Sequence, residues 1–303
     1  MFENLWFEKY RPKTLSDIIL SEANLAAFTA YGKQGEAPHC LFAGPPGIGK
    51  TSLAKIVCRD ILKCQYLYIN ASDENGIDTI RTKVVNFAQT RSLDGKIKII
   101  ILDEVDGLTP DAQRALRNTM EEYGKNTRFI LTANYLHRVT DALKSRCSKY
   151  DLRPSAEQYL ARLKFIVSSE KVAIEDNALQ KLAKQYYPDF RVAINELQKL
   201  KDGGVEILDK TASKDVTTAI IKLIVAKNPI ELRRYVIENE SKFYNDYPQL
   251  LKDLFNVVAE VDFKNKDVQR QWLICIAEHL YRSSFVLDQE INCSACFLQL
   301  QSY

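Results

Sequence analysis

A chain of 303 residues, nearly half of them apolar, is long enough for about two domains with sizeable cores, and no stretch has the composition of a disordered or low-complexity segment. Lys and Arg outnumber Asp and Glu by 42 to 39, a formal net charge of +3, which excludes a polybasic tail but leaves room for a basic stripe on one face. The most apolar short runs, IKIIIL at 97–102 and IIKLIV at 220–225, fall far below the roughly 20 residues of a membrane span.

The opening MFENLWFEKYRP carries acidic residues where a secretory leader needs a basic stretch, so the expectation is a soluble, cytoplasmic protein. Seven dispersed cysteines, at 40, 58, 64, 147, 275, 293 and 296, read as reduced thiols of that compartment. Strands are predicted over Cys40–Ala43, Tyr66–Asn70, Ile97–Leu102, Phe129–Ala133 and Lys149–Leu152. Amphipathic helical stretches lie between them, among them Thr51–Leu62 and Asp111–Tyr123. Alternating strands and helices imply an α/β fold, a mostly parallel sheet with flanking helices that binds ligands at the carboxyl ends of its strands. After Pro154 the strand pattern stops. Three helices are predicted, Ala156–Ser169, Glu175–Tyr186 and Phe190–Lys201, before Lys201-Asp-Gly-Gly204 punctuates the chain. The remainder is helical in pattern, for example over Val268–Arg282. The expected domains are 1–152 for nucleotide binding, a three-helix segment at 153–205 and an all-α domain at 206–303.

Gly44-Pro45-Pro46-Gly47-Ile48-Gly49-Lys50-Thr51 fits GxxxxGK[ST] in full, after a predicted strand and ahead of a predicted helix that continues with Ser52. The glycines let backbone N–H groups curl around a phosphate, Lys50 reaches the β- and γ-phosphates of ATP, and Thr51 is a ligand for Mg²⁺. The aliphatic run Ile99–Leu102 ends in Asp103-Glu104-Val-Asp106, which would strand charge in a core unless a cation meets it. Asp103 is expected to hold Mg²⁺ through water, and Glu104 to orient and polarise the attacking water. Asn134 ends the strand FILTAN, where a neutral amide can orient a water or touch the γ-phosphate. Arg191 falls in the first turn of a predicted helix, where the macrodipole disfavours a cation, so it is read as facing the γ-phosphate. Arg146 stands just before the last strand, too far along the sheet for its own P-loop and placed to serve a neighbour's nucleotide. Cys293 and Cys296 form one CxxC with neither a second pair nor a paired-histidine motif, and His39, His137 and His279 have no metal spacing; all five are expected to be structural or surface residues.

With these residues in place, the chain resembles the small ATPase subunits of AAA+ sliding-clamp loaders, of the replication factor C type. WFEKYRPKTLSDII near the start, NASDENGIDTIR at 70–81, DEVDGLTPDAQRALRNTME at 103–121, TAN at 132–134 and SRC at 145–147 follow that family's blocks in order and spacing, over about residues 5–200. The resemblance implies an AAA+ module, a three-helix lid and an all-α collar. Such subunits form a five-membered spiral that grips a sliding clamp when ATP is bound, and primer–template DNA entering the spiral triggers hydrolysis. By matching position, Tyr10, Arg11, Pro12 and Ile18 border the adenine, Asn134 and Arg191 act as sensors, and Arg146 is a finger given in trans. Pro188-Asp189-Phe190 stands where the family often has Gly-Asp, and Leu20-Ser21 where a Gly is common. Tyr187-Pro-Asp-Phe-Arg191 and the short length are similar to clamp loaders of large tailed bacteriophages, in which four identical ATPase subunits join one smaller subunit. Partners are therefore either paralogous subunits or copies of this chain.

Within that resemblance Arg81, Lys83 and Arg114 are candidates for DNA phosphates, contacts that position the backbone without reading sequence. Gln113 and Arg117, four apart on one helix, are candidates to relay DNA or neighbour contact to Glu104, and the loop Thr90–Lys96 is a candidate clamp contact. The competing readings are a branch-migration helicase or initiator, a structural subunit with a decayed ATPase, and a nucleotide kinase.

Overall fold

The computed structural model describes residues 5–90, 92, 95–202, 210–240, 243, 245–263 and 265–303. The chain forms two compact units, Met1–Val205 and Glu206–Tyr303. The first is built on five parallel strands, β1 (Cys40–Ala43), β2 (Tyr66–Asn70), β3 (Lys98–Asp103), β4 (Thr127–Ala133) and β5 (Ser148–Asp151), in the spatial order β2-β3-β4-β1-β5. Every residue of β3 is buried, as a central strand covered on both faces requires, which is why its sequence is a run of aliphatics and not an alternation. Its side chains still divide by strand period. Ile100 and Leu102 join Leu41, Phe129 and Leu131 on one face, whereas Ile99 and Ile101 join Cys40, Phe42 and Ile130 on the other.

The helices around the sheet are α1 (Trp6–Lys9), α2 (Glu22–Gln34), α3 (Lys50–Ile56), α4 (Ile77–Thr79), α5 (Val85–Gln89), α6 (Pro110–Tyr123) and α7 (Asp141–Lys144). A π-helical turn, Val57–Ile61, extends α3, and a second one, Ile80–Val84, joins α4 to α5. Leu53, Ala54 and Val57 pack with Phe28 of α2 on one face of the sheet, and Leu116 and Met120 of α6 with Ile80 and Val84 on the other. Thr109 caps α6 by accepting from Ala112 N, with Pro110 in its first turn, where a missing N–H costs nothing.

Three more helices belong to this unit, α8 (Ala156–Glu170), α9 (Asp176–Tyr186) and α10 (Phe190–Lys201). Ser155 and Gln158 form a capping box at the start of α8. These helices enclose an apolar cluster of their own around Leu163, Ile166, Leu182, Ala193 and Leu197, and Trp6 of α1 is buried in it. Trp6 N also donates to Gln198 Oε1 at 2.9 Å. The amino-terminal strap is thus anchored to the three-helix segment.

The second unit contains α11 (Lys210–Val225), α12 (Pro229–Glu238), α13 (Tyr247–Glu260), α14 (Lys266–Arg282) and α15 (Gln289–Gln301). Asn228, Asp246, Asn265 and Asp288 each cap the helix that follows. Leu232, Leu250, Leu254, Trp272, Ile276 and Phe297 fill its core. Ile230, Tyr281, Phe285, Leu287 and Ile291 remain exposed. Among the described residues no helix is long and apolar enough to cross a membrane. The expected boundary near 205 lies within 203–209, outside the described residues, as do Arg91, Leu93 and Asp94 of the expected clamp loop.

Candidate active site

Parallel strands bring their carboxyl ends to one edge, so the P-loop after β1, Asp103 at the end of β3 and Asn134 after β4 converge there. Gly44, Gly47 and Gly49 have φ of 143°, 76° and 93°, conformations a side chain rarely tolerates. A Cβ at Gly49 would project into open space, whereas one at Gly47 would meet Asp189. The loop therefore offers a bare backbone cradle on one side and packs against α10 on the other. Lys50 opens α3, and its Nζ donates to Gly44 O at 2.8 Å and Pro45 O at 2.6 Å. Burial pulls its pKa down to about 8, although Asp103, Asp106, Glu104 and Asp189 all pull upward. An ammonium with two of its three donors on the loop keeps one for a phosphate oxygen.

Asp103 is buried in a shell of hydroxyls. Thr51 Oγ1 donates to both carboxylate oxygens at 2.9 Å, Tyr68 Oη to Oδ2 at 2.9 Å and Thr132 Oγ1 to Oδ1 at 2.6 Å. Burial, reinforced by Asp103, holds the Tyr68 phenol above its ordinary range. A buried carboxylate beside a threonine hydroxyl is a set of hard oxygen donors, and it fits Mg²⁺. Glu104 has left-handed backbone, φ 59° and ψ 48°, a conformation costing about 1–3 kcal/mol for a residue with a side chain and found at functional sites. Glu104 N donates to Thr132 Oγ1 at 2.9 Å, Ser72 Oγ donates to Glu104 Oε2 at 2.7 Å, and Asn134 Nδ2 stands 3.5 Å from Oε1. Asp106 fixes the end of β4 by accepting from Asn134 N at 3.2 Å and Tyr135 N at 2.9 Å.

Tyr10, Arg11, Pro12 and Ile18 line the same cleft as Pro46, Gly47, Ile48, Gly49, Lys50, Thr51, Ser52, Asp103, Glu104, Asn134 and Arg191. Arg11 pairs with Glu8, and its Nε lies 3.5 Å from Ser52 Oγ. Tyr10 Oη donates to Glu170 Oε1 at 2.6 Å, and Lys9 and Lys201 pair with the same carboxylate. These bonds, that of Lys9 first, hold Glu170 at about 2. On the far wall Asp189 caps α10, its Oδ1 accepting from Arg191 N at 2.8 Å and Val192 N at 3.2 Å, while Phe190 N donates to Gly47 O at 3.3 Å.

Residues 40–154 match the family described as ATPase family associated with various cellular activities (AAA). Over 258 residues the chain is 40% identical to the replication factor C small subunit of Staphylothermus marinus, covering 83% of this chain and 76% of that protein. The chain belongs to the replication factor C small-subunit family. It is an ATP-hydrolysing enzyme of the clamp-loader class, with an AAA+ module followed by helical segments. The replication factor C small subunit of Thermofilum pendens is 33% identical over 302 residues, covering 96% of this chain and 91% of that one. Among solved structures, a point mutant of Thermotoga maritima RuvB superimposes with a TM-score of 0.56 at 19% identity, over 93% of this chain and 90% of that one. At that identity the likeness establishes the fold alone.

The remaining expected residues of this small subunit lie away from the cleft. Cys40 pairs with Ser148 in the β1–β5 register, so Arg146 is at the amino edge of the sheet, opposite the P-loop. Its Nη1 donates to Ala142 O at 2.7 Å, and it pairs with Glu121. Arg81 is exposed and forms no ion pair among the described residues; Lys83 pairs with Glu74 and Arg114 with Asp111, both at the surface. Arg117 bonds to Asn118 Oδ1. Gln113 is enclosed by the fold. Only 3% exposed, it donates to Leu108 O at 3.3 Å and Arg138 O at 3.0 Å and accepts from Thr140 N at 2.9 Å, so it staples the loop after β3 to the segment after β4.

Tyr68, Ser72, Thr132, Glu170 and Asp189 escaped sequence reasoning. One weak signal existed. Residues just beyond the carboxyl ends of neighbouring strands must crowd Asp103 and Glu104, and Asn70 is the register partner of Asp103.

Proposed function

We propose that ATP binding in this cleft draws copies of the small subunit, or its paralogues, into a spiral that opens a sliding clamp and admits primer–template DNA. Contact with DNA then triggers hydrolysis and leaves the closed clamp on DNA. The observation that carries this reading is the placement of Arg146 at the opposite edge of the sheet from a cleft otherwise equipped for hydrolysis. A site whose candidate arginine finger points elsewhere is completed by a neighbour, and such fingers are worth about 10³–10⁵ in rate.

In this mechanism the P-loop amides and Lys50 bind the phosphates, and Tyr10, Arg11, Pro12 and Ile18 border the base. Thr51 and Asp103 hold Mg²⁺, which when bound supplies neutralising charge at the β- and γ-phosphates. Glu104, released from Ser72, orients the attacking water and takes its proton. The new oxygen–phosphorus bond forms as the bond to the β-phosphate oxygen breaks, and ADP and phosphate leave. Asn134, within reach of Glu104, holds the water or the γ-phosphate, and Arg191 follows that phosphate from α10, so the strap and helices α8–α10 act as a lid. Arg81, Lys83 and Arg114 meet DNA phosphates, since surface ion pairs such as those of Lys83 and Arg114 are worth only about 0–1 kcal/mol and exchange readily. DNA binding by such contacts weakens steeply with salt. Arg117 and the loop stapled by Gln113 carry the DNA signal to Glu104. The exposed apolar side chains of the second unit suit a collar that joins subunits.

Steady-state ATP hydrolysis without additions, with primer–template DNA, and with DNA plus clamp tests this reading, with Glu104→Gln as control. Synergistic stimulation by DNA and clamp, abolished in the variant, supports it. Saturation by DNA alone would make the chain a motor or remodelling ATPase.

A further inference from the structure

In the second unit a lone CxxC at 293–296 becomes part of something larger once α14 and α15 pack together. Cys275 and His279 stand one turn apart on α14 and share a face, and Cys296 meets them from α15. One ligand atom from each, the two Sγ and a ring nitrogen, lie within 4.8 Å of one another. All three residues are buried, at 1%, 3% and 0% exposure.

The imidazole is oriented as a metal ligand is. Its Nδ1 stands 2.9 Å from Asn292 Oδ1, and the Asn292 amide is turned by donating through Nδ2 to His279 O at 2.9 Å and Ser283 Oγ at 3.1 Å. Nδ1 is therefore the donor towards Asn292, and Nε2 is the ring nitrogen left to bind a metal. Nε2 stands 3.2 Å from Gln299 Oε1, and Gln299 Nε2 donates to Tyr303 Oη at 3.1 Å. An imidazole nitrogen and an amide oxygen beside two buried thiols make a donor set for one cation. Sulfur and imidazole select a zinc-class ion over magnesium.

We propose that Cys275, His279 and Cys296 bind one zinc-class divalent ion, with Gln299 Oε1 or a water as the fourth ligand, clamping α14 to α15. Tetrahedral bonds of about 2.3 Å to sulfur and 2.0–2.1 Å to nitrogen place the donors roughly 3.5–3.8 Å apart, a small contraction of the observed cluster. Each thiol releases its proton to solvent as its metal bond forms, and no oxidant is involved. The Asn292 bond is the outer support that metal-bound histidines generally have.

The test is titration of the full-length, reduced, chelator-treated chain with Co²⁺, followed by displacement with Zn²⁺. One equivalent should bring up a thiolate-to-cobalt charge-transfer band with tetrahedral d–d bands, and Zn²⁺ should abolish them and raise the melting temperature. Cobalt at Thr51 and Asp103 has oxygen ligands and gives no such sulfur band. The band should vanish in Cys275→Ser and Cys296→Ser, persist in Cys64→Ser, and require about 10–100-fold more cobalt in Asn292→Ala. Absence of a thiolate band in the wild-type chain overturns the proposal whatever the variants do. A band that survives both cysteine substitutions overturns it as well, as does a chain that only joins Cys275 to Cys296 on oxidation.

Discussion

Gly47→Ala tests the contact between the P-loop and α10. A methyl at this position would lie 1.9 Å from Asp189 Oδ1 and 2.4 Å from its Cγ, far inside contact distance. Asp189 has no retreat that keeps its bonds to Arg191 N and Val192 N. Losing that cap costs about 1 kcal/mol, and holding alanine at φ 76° adds about 1–2 kcal/mol. The substitution therefore destabilises the first unit by roughly 2–3 kcal/mol and carries Arg191 away from the cleft. Asp189→Ala alone costs about 1 kcal/mol. In the double variant the clash is gone and the cap is lost only once, so it should be no less stable than Gly47→Ala, a coupling of about 1 kcal/mol. The chain has two tryptophans, Trp6 in the first unit and Trp272 in the second. Urea unfolding followed by Trp6 fluorescence in a Trp272→Phe background reads the first unit alone. Strict additivity of the two substitutions, or an unchanged midpoint for Gly47→Ala, would refute the reasoning.

Lys50, at about 8 in the free protein, is about half protonated near pH 8, and phosphate favours its charged form; ATP binding there should take up roughly half a proton, fading towards pH 6. Calorimetry in buffers of different ionisation enthalpy measures this, and zero uptake at pH 8 contradicts it. Because the depressed lysine leaves the unfolded chain holding more protons, the same group makes the first unit gain stability as pH rises from about 8 to its ordinary 10.5. Ser72→Ala frees Glu104 from its hydroxyl partner and should raise hydrolysis in the absence of DNA, with ATP affinity unchanged; a lowered basal rate would show that Ser72 assists Glu104. Glu170→Gln loosens the bonds to Lys9, Tyr10 and Lys201 and should weaken ATP binding several-fold. Glu170 is depressed from 4.5 to about 2, so its contribution is full above the upper value and fades as pH falls through the lower one. Wild-type and variant stabilities should accordingly converge over that window in acid melts.

Much of the ATP site was legible because its chemistry is written locally. A glycine-rich turn between a strand and a helix needs consecutive residues, and so does an aliphatic strand that ends in two carboxylates. Strand bounds at Cys40–Ala43 and Tyr66–Asn70 agree with expectation, and β3 and β4 differ by one or two residues at their ends. Arg146 was also readable as remote from its own P-loop, since its position before the last strand of a parallel sheet puts it at the amino edge. The enclosure of Gln113 was not legible, because helical periodicity gives the face of a residue and not the loops folded over it.

By itself the sequence determined the α/β class, the order of elements, the P-loop and its carboxylates, because each follows from patterns a few residues long. Only the tertiary structure decided which side chains close the site. Tyr68 and Thr132 come to Asp103, Ser72 to Glu104 and Asp189 to Gly47 from strands and helices far apart in the chain. Trp6 and Tyr10 likewise find α10 and Glu170 across more than 150 positions, and Cys275 and His279 find Cys296 only where two helices pack. No local propensity encodes such meetings; they follow from how a whole set of apolar faces is buried at once.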